Sequence, residues 1–268
     1  MGDSDIVFDG SIPAIYDRYL VPMLFRPYAE VAAQRARTLN PSRIVETAAG
    51  TGVVTLALHQ ALPEAEIVAT DLNQPMLDEA AHRVGAPNVR FLQADALSLP
   101  FEDGTFDLAL CQFGVMFFPD KVKGNGEARR VLRHGGTYMT LIWDTVDKNL
   151  ATKIAGNAVG ELFPDDAEGF YLRLPFRYHD AHLIERDMRS AGFANVTVER
   201  VELVSRAASA RDAAIGLTQG TPMRTEIEKR DPAKLQAATD AAEVALRQFE
   251  GANGFEAPMA AYLVTATK

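Results

Sequence analysis

The strongest constraint on this chain is a rhythm. Between Ser42 and Asp144, apolar runs of strand length recur, "RIVETA", "EIVATD", "NVRFLQAD", "GTFDLALCQ" and "GGTYMTLIWD", with helix-prone segments such as "NQPMLDEAAHRV" and "NGEARRVLR" set among them. Strands that alternate with helices are joined by crossovers, so they lie parallel with both faces covered. Asn73 and Pro75 mark one helix start, and Gly135 and Gly136 supply the turn before the fifth strand.

Outside this stretch the rhythm changes. "PAIYDRYLVPMLFRPYAEVAAQRAR" reads as two helices broken by Pro22 and Pro27. After Trp143 come a helix-prone segment to about Leu162, a passage rich in Pro and aromatics, and the helix "DAHLIERDMRSAG" with Gly192 as its C-cap. "NVTVERVELVS" alternates as a strand, a polar helix-prone insertion runs from about Ala208 to Glu250, and "PMAAYLVTATK" closes the chain. The last two strands flank an excursion without a crossover pattern and are expected to pair antiparallel. The expected fold class is therefore α/β, a seven-stranded, mostly parallel sheet with an antiparallel last strand and helices on both faces. The whole, residues 1–268, reads as one domain: a helical cap over 1–40, a core over 42–144, and a second half over 145–268 that carries an inserted helical lid.

Composition removes whole classes of function. Twenty-seven Lys and Arg against 36 Asp and Glu leave a net charge of −9 with no segregated basic patch, which argues against nucleic acid and anionic membrane as partners. No apolar run is long enough to span a bilayer, the acidic start "MGDSDIVFDG" lacks the features of a secretory signal, and Ile6 breaks the myristoylation pattern after Gly2. A single cysteine, Cys111, cannot form an intrachain disulfide, in keeping with a cytoplasmic setting.

The stretch "IVETAAGTG", Ile44 to Gly52, ends the first strand in a glycine turn, where backbone N–H groups at a helix start can meet a nucleotide. A P-loop needs a lysine after its last glycine, and Val53 stands there. The dinucleotide fingerprint is matched at Gly50 and Gly52, with Thr55 where a third glycine belongs. Asp71 ends the second strand 21 residues after Gly50, placed to accept the hydroxyls of an adenosine ribose. Glu46 separates the ligands: a carboxylate beside the turn opposes a pyrophosphate and suits a ligand bearing positive charge.

Five ordered segments, "VETAAGTG", "ATDLNQPML", "FLQADALSLPFEDGTFDLALCQFGVMFFPD", "EARRVLRHGGTYMTLIWD" and, more loosely, "AGFANVTVE" with the last strand, resemble the class I S-adenosylmethionine-dependent methyltransferases, in the branch of the ubiquinone and menaquinone methyltransferases. The resemblance implies a Rossmann-like sheet and S-adenosylmethionine as cofactor, with S-adenosylhomocysteine as product. It assigns Glu46, Ala48, Gly50 and Gly52 to the methionine end, Asp71 to the ribose, Leu72 and Met76 to the borders of the adenine, Asp95 and the Ala96 N–H to its edge, and Gln112 to the methionine region. Ala48 departs from the commoner glycine, and a negative φ is expected there.

Tyr16, Tyr19, Phe25, Phe113, Phe117, Phe118 and Trp143 fall on the first helices or just past strands four and five, the edge where open α/β sheets bind ligands. Tyr16, Tyr19, Phe113, Phe117 and Trp143 are the expected pocket, which implies a small or medium, apolar or aromatic methyl acceptor, a phenol or quinol for O- or C-methylation. Methyl transfer is an in-line displacement that needs alignment and exclusion of water rather than a metal, and a base only when the acceptor must lose a proton; Tyr16, Tyr19 and Asp144 are the candidates by location. His179 and His182 lack a third ligand and read as surface residues at a helix start, and Cys111 reads as a small buried apolar residue. An NAD-dependent oxidoreductase and a non-catalytic cofactor-binding protein are the rival readings, and a homodimer is open to either.

Overall fold

Strand β1 (Arg43–Thr47) is buried from its second residue onward, with Ile44 and Val45 fully enclosed, as a strand covered on both faces must be. In the computed structural model, which describes residues 12–165 and 175–268, β1 pairs in parallel with β2 (Glu66–Asp71) on one side and β4 (Phe106–Gln112) on the other. Strand β3 (Val89–Gln93) extends the sheet beyond β2, and β5 (Leu132–Trp143) pairs in parallel with β4. β8 (Gly254–Thr267) then runs antiparallel to β5, from Thr137 opposite Thr267 to Trp143 opposite Ala261. The order is β3-β2-β1-β4-β5-β8-β6, with β6 (Asn195–Ala207) hydrogen-bonded to β8. An eighth strand, the two-residue β7 (Glu250–Gly251), pairs with β8 across a tight turn; it is too short to leave a periodic signal beside the expected seven.

The described chain divides into two compact units. One comprises residues 28–143, 178–201 and 261–268, and the other, of the described residues, 12–27, 144–165, 175–177 and 202–260. The acidic N-terminal stretch and residues 166–174 of the Pro- and aromatic-containing passage lie outside the described residues.

In the sheet unit, helices α3 (Val53–Ala61), α4 (Gln74–Val84), α5 (Lys121–Val131) and α7 (Ala181–Ser190) connect or flank the strands. Asp180 caps α7 by accepting from the N–H groups of His182 and Leu183, and Asp120 caps α5 by accepting from Lys123 N–H. Asn73 occupies the N-cap position of α4, but its amide is drawn away to Asp71, so the expected side-chain cap does not form. Asp107 fastens the amino ends of three strands. Its Oδ2 accepts from the N–H groups of Ser42 and Arg43 at 2.7 and 2.8 Å, and its Oδ1 accepts from the Arg133 guanidinium. Burial opposes ionisation here, yet Arg133 and the two N–H groups together hold this carboxyl below its ordinary range.

In the helical unit, α6 (Leu150–Gly160), α8 (Ala210–Gln219), α9 (Met223–Arg230) and α10 (Lys234–Leu246) pack through small residues such as Ala155, Ala213, Ala214, Ala238 and Ala242. The Thr218 and Thr239 hydroxyls lie 2.9 Å apart inside this packing, and when one of them donates to the other, its partner donates to the carbonyl one turn back. The first segment corrects the reading of Pro22 and Pro27 as a helix break. Helix α1 (Ile12–Ile15), a π-helix over Tyr16–Phe25 and α2 (Arg26–Leu39) form one continuous helical run. Proline removes one donor and crowds the preceding turn; wider winding, with Arg26 N–H reaching back to the Val21 carbonyl, absorbs that misfit without breaking the rod.

The turn after β1 holds a second correction. Ala48 has φ +54°, a left-handed conformation, where the sequence leads one to expect a negative φ. Its methyl group is tolerated because residue 114 is glycine: a Cβ at Gly114 would sit 2.5 Å from the Ala48 Cβ and 2.7 Å from the Cys111 sulfur. Replacing Ala48 by glycine removes a backbone penalty of about 1–2 kcal/mol, partly offset by the greater freedom of unfolded glycine, so Ala48→Gly should gain up to about 1 kcal/mol. Gly114→Ala should lose about 1–3 kcal/mol by overpacking, and the double variant should recover part of that loss; urea unfolding of the three variants tests this pairing.

Candidate functional site

Left-handed residues make the turn between β1 and α3. Ala48, Gly50 and Gly52 all have positive φ, which swings the chain from the end of a buried strand into the first turn of α3 with Gly52 as its N-cap. The glycines differ in what they permit. A Cβ at Gly50 would meet nothing within 4 Å, so that face of the turn is open, whereas a Cβ at Gly52 would lie 2.8 Å from the Ala80 Cβ on α4. Gly52 therefore serves close packing of two helices, and Gly50 leaves backbone accessible.

Asp71 closes the turn from β2. Its Oδ2 accepts from Gly50 N–H at 2.9 Å, and its Oδ1 accepts from Asn73 N–H at 2.8 Å and from the Asn73 amide at 3.3 Å. The side chain is thus fixed at the carboxyl edge of the sheet with lone pairs to spare for a further donor. Leu72 follows it with 53% of its surface exposed, an unusual placement for leucine, and the Leu72 carbonyl accepts from the Gln93 amide on β3. Met76 is buried on the first turn of α4.

Glu46 is the chemical anomaly of this edge. It is 1% exposed, and among the described residues its carboxyl group has one partner, the Thr55 hydroxyl, which donates to Oε2 at 2.6 Å. No cation pairs with it among the described residues. Burial pushes this group up to about 8, with the Thr55 hydrogen bond opposing and the nearby charge of Asp71 adding to the rise. The sequence motifs give no role to Thr55, which there only spoils a dinucleotide fingerprint. Its signal is its place, nine residues on from Glu46, in the first turn of the helix that the glycine turn launches.

The remaining expected residues are less concentrated. Asp95 is exposed, and its Oδ1 accepts from Leu97 N–H at 2.8 Å in the tight turn after β3 that also holds Ala96. Gln112 ends β4 almost fully buried. Phe113 follows with φ +55° and stacks on Trp143 at 3.8 Å between ring centroids and 7° between planes, while Tyr28 meets both rings edge-on at 5.3 and 5.5 Å. Both stacked rings are 6% exposed, each with one face against the other; Phe117 is partly exposed. Tyr16 and Tyr19 lie in the π-helix of the helical unit, both partly exposed, with Tyr16 5.0 Å from Phe25 and Tyr19 beneath the Arg18 guanidinium. Asp144 is fully buried in the helical unit, its Oδ1 accepting from Thr145 N–H at 2.7 Å, which suits a turn-forming group more than a base.

Cys111 is fully buried and its thiol is pushed up to about 11 by burial, as expected of an inert apolar residue. His182 is exposed at the start of α7, and among the described residues no cluster of His, Cys, Asp or Glu could hold a metal. No described helix is long and apolar enough to cross a membrane. A shallow cleft of about 440 Å³ opens at the opposite edge of the sheet, lined by residues such as Arg37, Ser42, Leu62 and Glu64, and no buried carboxyl group converges on it. The buried carboxyl group of Glu46 and the open glycine turn lie at the carboxyl edge instead.

Comparison with solved structures gives the same architecture. The YcgJ protein from Bacillus subtilis superposes with a TM-score of 0.59 at 19% identity, covering 90% of this chain and 98% of that one. Residues 44–136 match a family described as a methyltransferase domain. The ubiquinone/menaquinone biosynthesis C-methyltransferase of Azotobacter vinelandii is 33% identical over 170 residues, 58% of this chain and 67% of that protein. The demethylmenaquinone methyltransferase of Deinococcus radiodurans is 38% identical over 118 residues, 43% of this chain and 49% of that protein, so the chain spans about half the length of this relative. The chain belongs to the class I S-adenosylmethionine-dependent methyltransferases, in the branch of the ubiquinone and menaquinone biosynthesis enzymes.

The buried carboxyl group of Glu46 has a measurable consequence. Its pKa in the folded protein lies above the ordinary 4.5, so the protonated form favours the ligand-free fold, and that stability is lost as pH rises from about 4.5 through about 8. Glu46→Gln should therefore gain on the wild type by a few kcal/mol across this window, at a slope approaching about 1.4 kcal/mol per pH unit, and the gain should level off above it. Denaturant titrations of both proteins at a series of pH values measure that difference.

Proposed function

We propose that this protein transfers a methyl group from S-adenosylmethionine to a small, apolar aromatic acceptor, a phenol or quinol, at oxygen or ring carbon. The observation that carries the reading is Glu46, a buried carboxyl group with no cation paired to it among the described residues, beside an open glycine turn. Such a group fits a ligand that brings its own positive charge and opposes one that brings a pyrophosphate.

Within this reading, Glu46 and the turn through Ala48, Gly50 and Gly52 hold the methionine end, and Gln112 borders it. Asp71, already oriented by Gly50 and Asn73, accepts from the ribose hydroxyls. The exposed Leu72 and the buried Met76 flank the adenine, with Asp95 and the Ala96 N–H at its edge. When bound, the cofactor supplies a methyl group on a sulfonium. The chain's residues fix its orientation and exclude water, which for an in-line displacement is most of the catalytic task. The acceptor class is supported by relatives named for quinone biosynthesis. Acceptor choice is assigned to residues 145–268, which the methyltransferase family match over 44–136 does not reach. With one cysteine, and that one buried, the reading places the enzyme in the cytoplasm.

Titration calorimetry with S-adenosylmethionine, S-adenosylhomocysteine and NAD tests the cofactor. Both sulfur ligands should bind and NAD should not, and Asp71→Ala should weaken binding at least about tenfold, or about 1.4 kcal/mol. Tight binding of NAD, or unchanged affinity in Asp71→Ala, would sink the assignment. Release of S-adenosylhomocysteine with phenols and reduced quinones as acceptors then separates an enzyme from a protein that only binds the cofactor.

A further inference from the structure

The pairing of Glu46 with Thr55 does more than position a carboxylate. Glu46 Oε2 accepts from the Thr55 hydroxyl at 2.6 Å, while no hydrogen bond to Oε1 is found among the described residues. The groups that face it offer no compensating charge. From β2 comes a second carboxylate, Asp71, which bonds the backbone of the same turn. From β4 comes the Cys111 thiol, buried and electrostatically coupled to Glu46. From α3 comes the Thr55 hydroxyl. On α4, Arg83 directs its Nε to the Thr51 carbonyl at 2.7 Å. A carboxyl group enclosed in this way keeps its proton until a cation arrives.

We propose that uptake of a ligand whose amino-acid end presents a cationic ammonium group expels one proton from the Glu46 carboxyl group to the buffer, with Thr55 as the positioning residue that sets the pH at which this happens. The proposal rests on the cofactor reading above. The balance is simple: the O–H bond of the Glu46 acid breaks, the proton leaves to a buffer base, and the new carboxylate faces the ligand's cation while keeping its hydrogen bond from Thr55. Affinity then rises with pH as long as the free site is protonated and the occupied site is not. For one proton released, the dissociation constant falls close to tenfold per pH unit. Thr55 favours the ionised form through its hydrogen bond, so its loss moves that dependence to higher pH.

The test uses the whole chain and two probes, S-adenosylhomocysteine and 5′-methylthioadenosine, the second lacking the amino-acid end. Calorimetry at about pH 6.5 in two buffers of different ionisation enthalpy counts the protons, and titrations from about pH 5.5 to 7.5 give the affinity profile. The wild type should release close to one proton with S-adenosylhomocysteine and none with methylthioadenosine. Glu46→Gln should bind S-adenosylhomocysteine more weakly, release no proton and show a flat profile. Thr55→Val should bind weakly at low pH and regain affinity as pH rises, and Thr55→Ser should restore the wild-type profile. A Thr55 that matters only for packing would lower affinity equally at every pH, which overturns its role. S-adenosylhomocysteine that binds without releasing a proton overturns the proposal and leaves the cofactor reading standing. No binding at any pH overturns both.

Discussion

Everything at the carboxyl edge of this sheet depends on how the chain leaves β1. A strand with both faces buried has to give way to a helix within a few residues, Ala48 to Gly52, and right-handed backbone cannot make that reversal in so little chain. Three left-handed residues make it instead, and Asp71 anchors the middle one from the neighbouring strand. The same step delivers Glu46 one residue before the end of β1 and Thr55 in the first turn of α3, so their hydrogen bond follows from the turn. Two positions distant in sequence, Gly114 after β4 and Ala80 on α4, are small enough to let that turn close.

Much of this can be read in the sequence, for identifiable reasons. The strands of the core are apolar runs ended by an acid or a glycine, so β1, β2, β4 and β5 are visible together with the crossovers between them. Glu46 stands out because a charge within a buried run demands a reason. What cannot be read depends on contacts between distant segments. The left-handed state of Ala48 is permitted by a missing side chain at Gly114, and no local pattern reports that. Thr55 reads as a failed glycine in a motif, which conceals that its hydroxyl serves Glu46. Pro22 and Pro27 are the strongest local signals for a helix break, yet a change of helical winding accommodates them. The two-residue β7 is too short for any periodicity.

The aromatic residues teach a different lesson. Their position past strands four and five leads one to expect a ligand-facing wall, but position along a strand does not say where a ring points. Phe113 adopts φ +55°, and its ring lies stacked on Trp143, one face of each against the other. Aromatic pairs of this kind add about 0.5–1.5 kcal/mol beyond their burial, so the stack is a stabilising element in its own right. Its cost is a strained backbone at the end of β4, where such strain is most often found beside functional groups.

That stack also gives the molecule a built-in optical probe. Trp143 is the sole tryptophan of the chain, so all indole emission comes from the carboxyl end of β5, from a ring lying 3.8 Å from Phe113 and edge-on to Tyr28. Phe113 is directly bonded in sequence to Gln112, and its neighbour Gly114 packs on Ala48 of the glycine turn. The indole is therefore wired by covalent and packing contacts to the turn itself. Its emission wavelength and quantum yield provide a label-free signal of movement at this edge, read from a single chromophore whose origin needs no deconvolution.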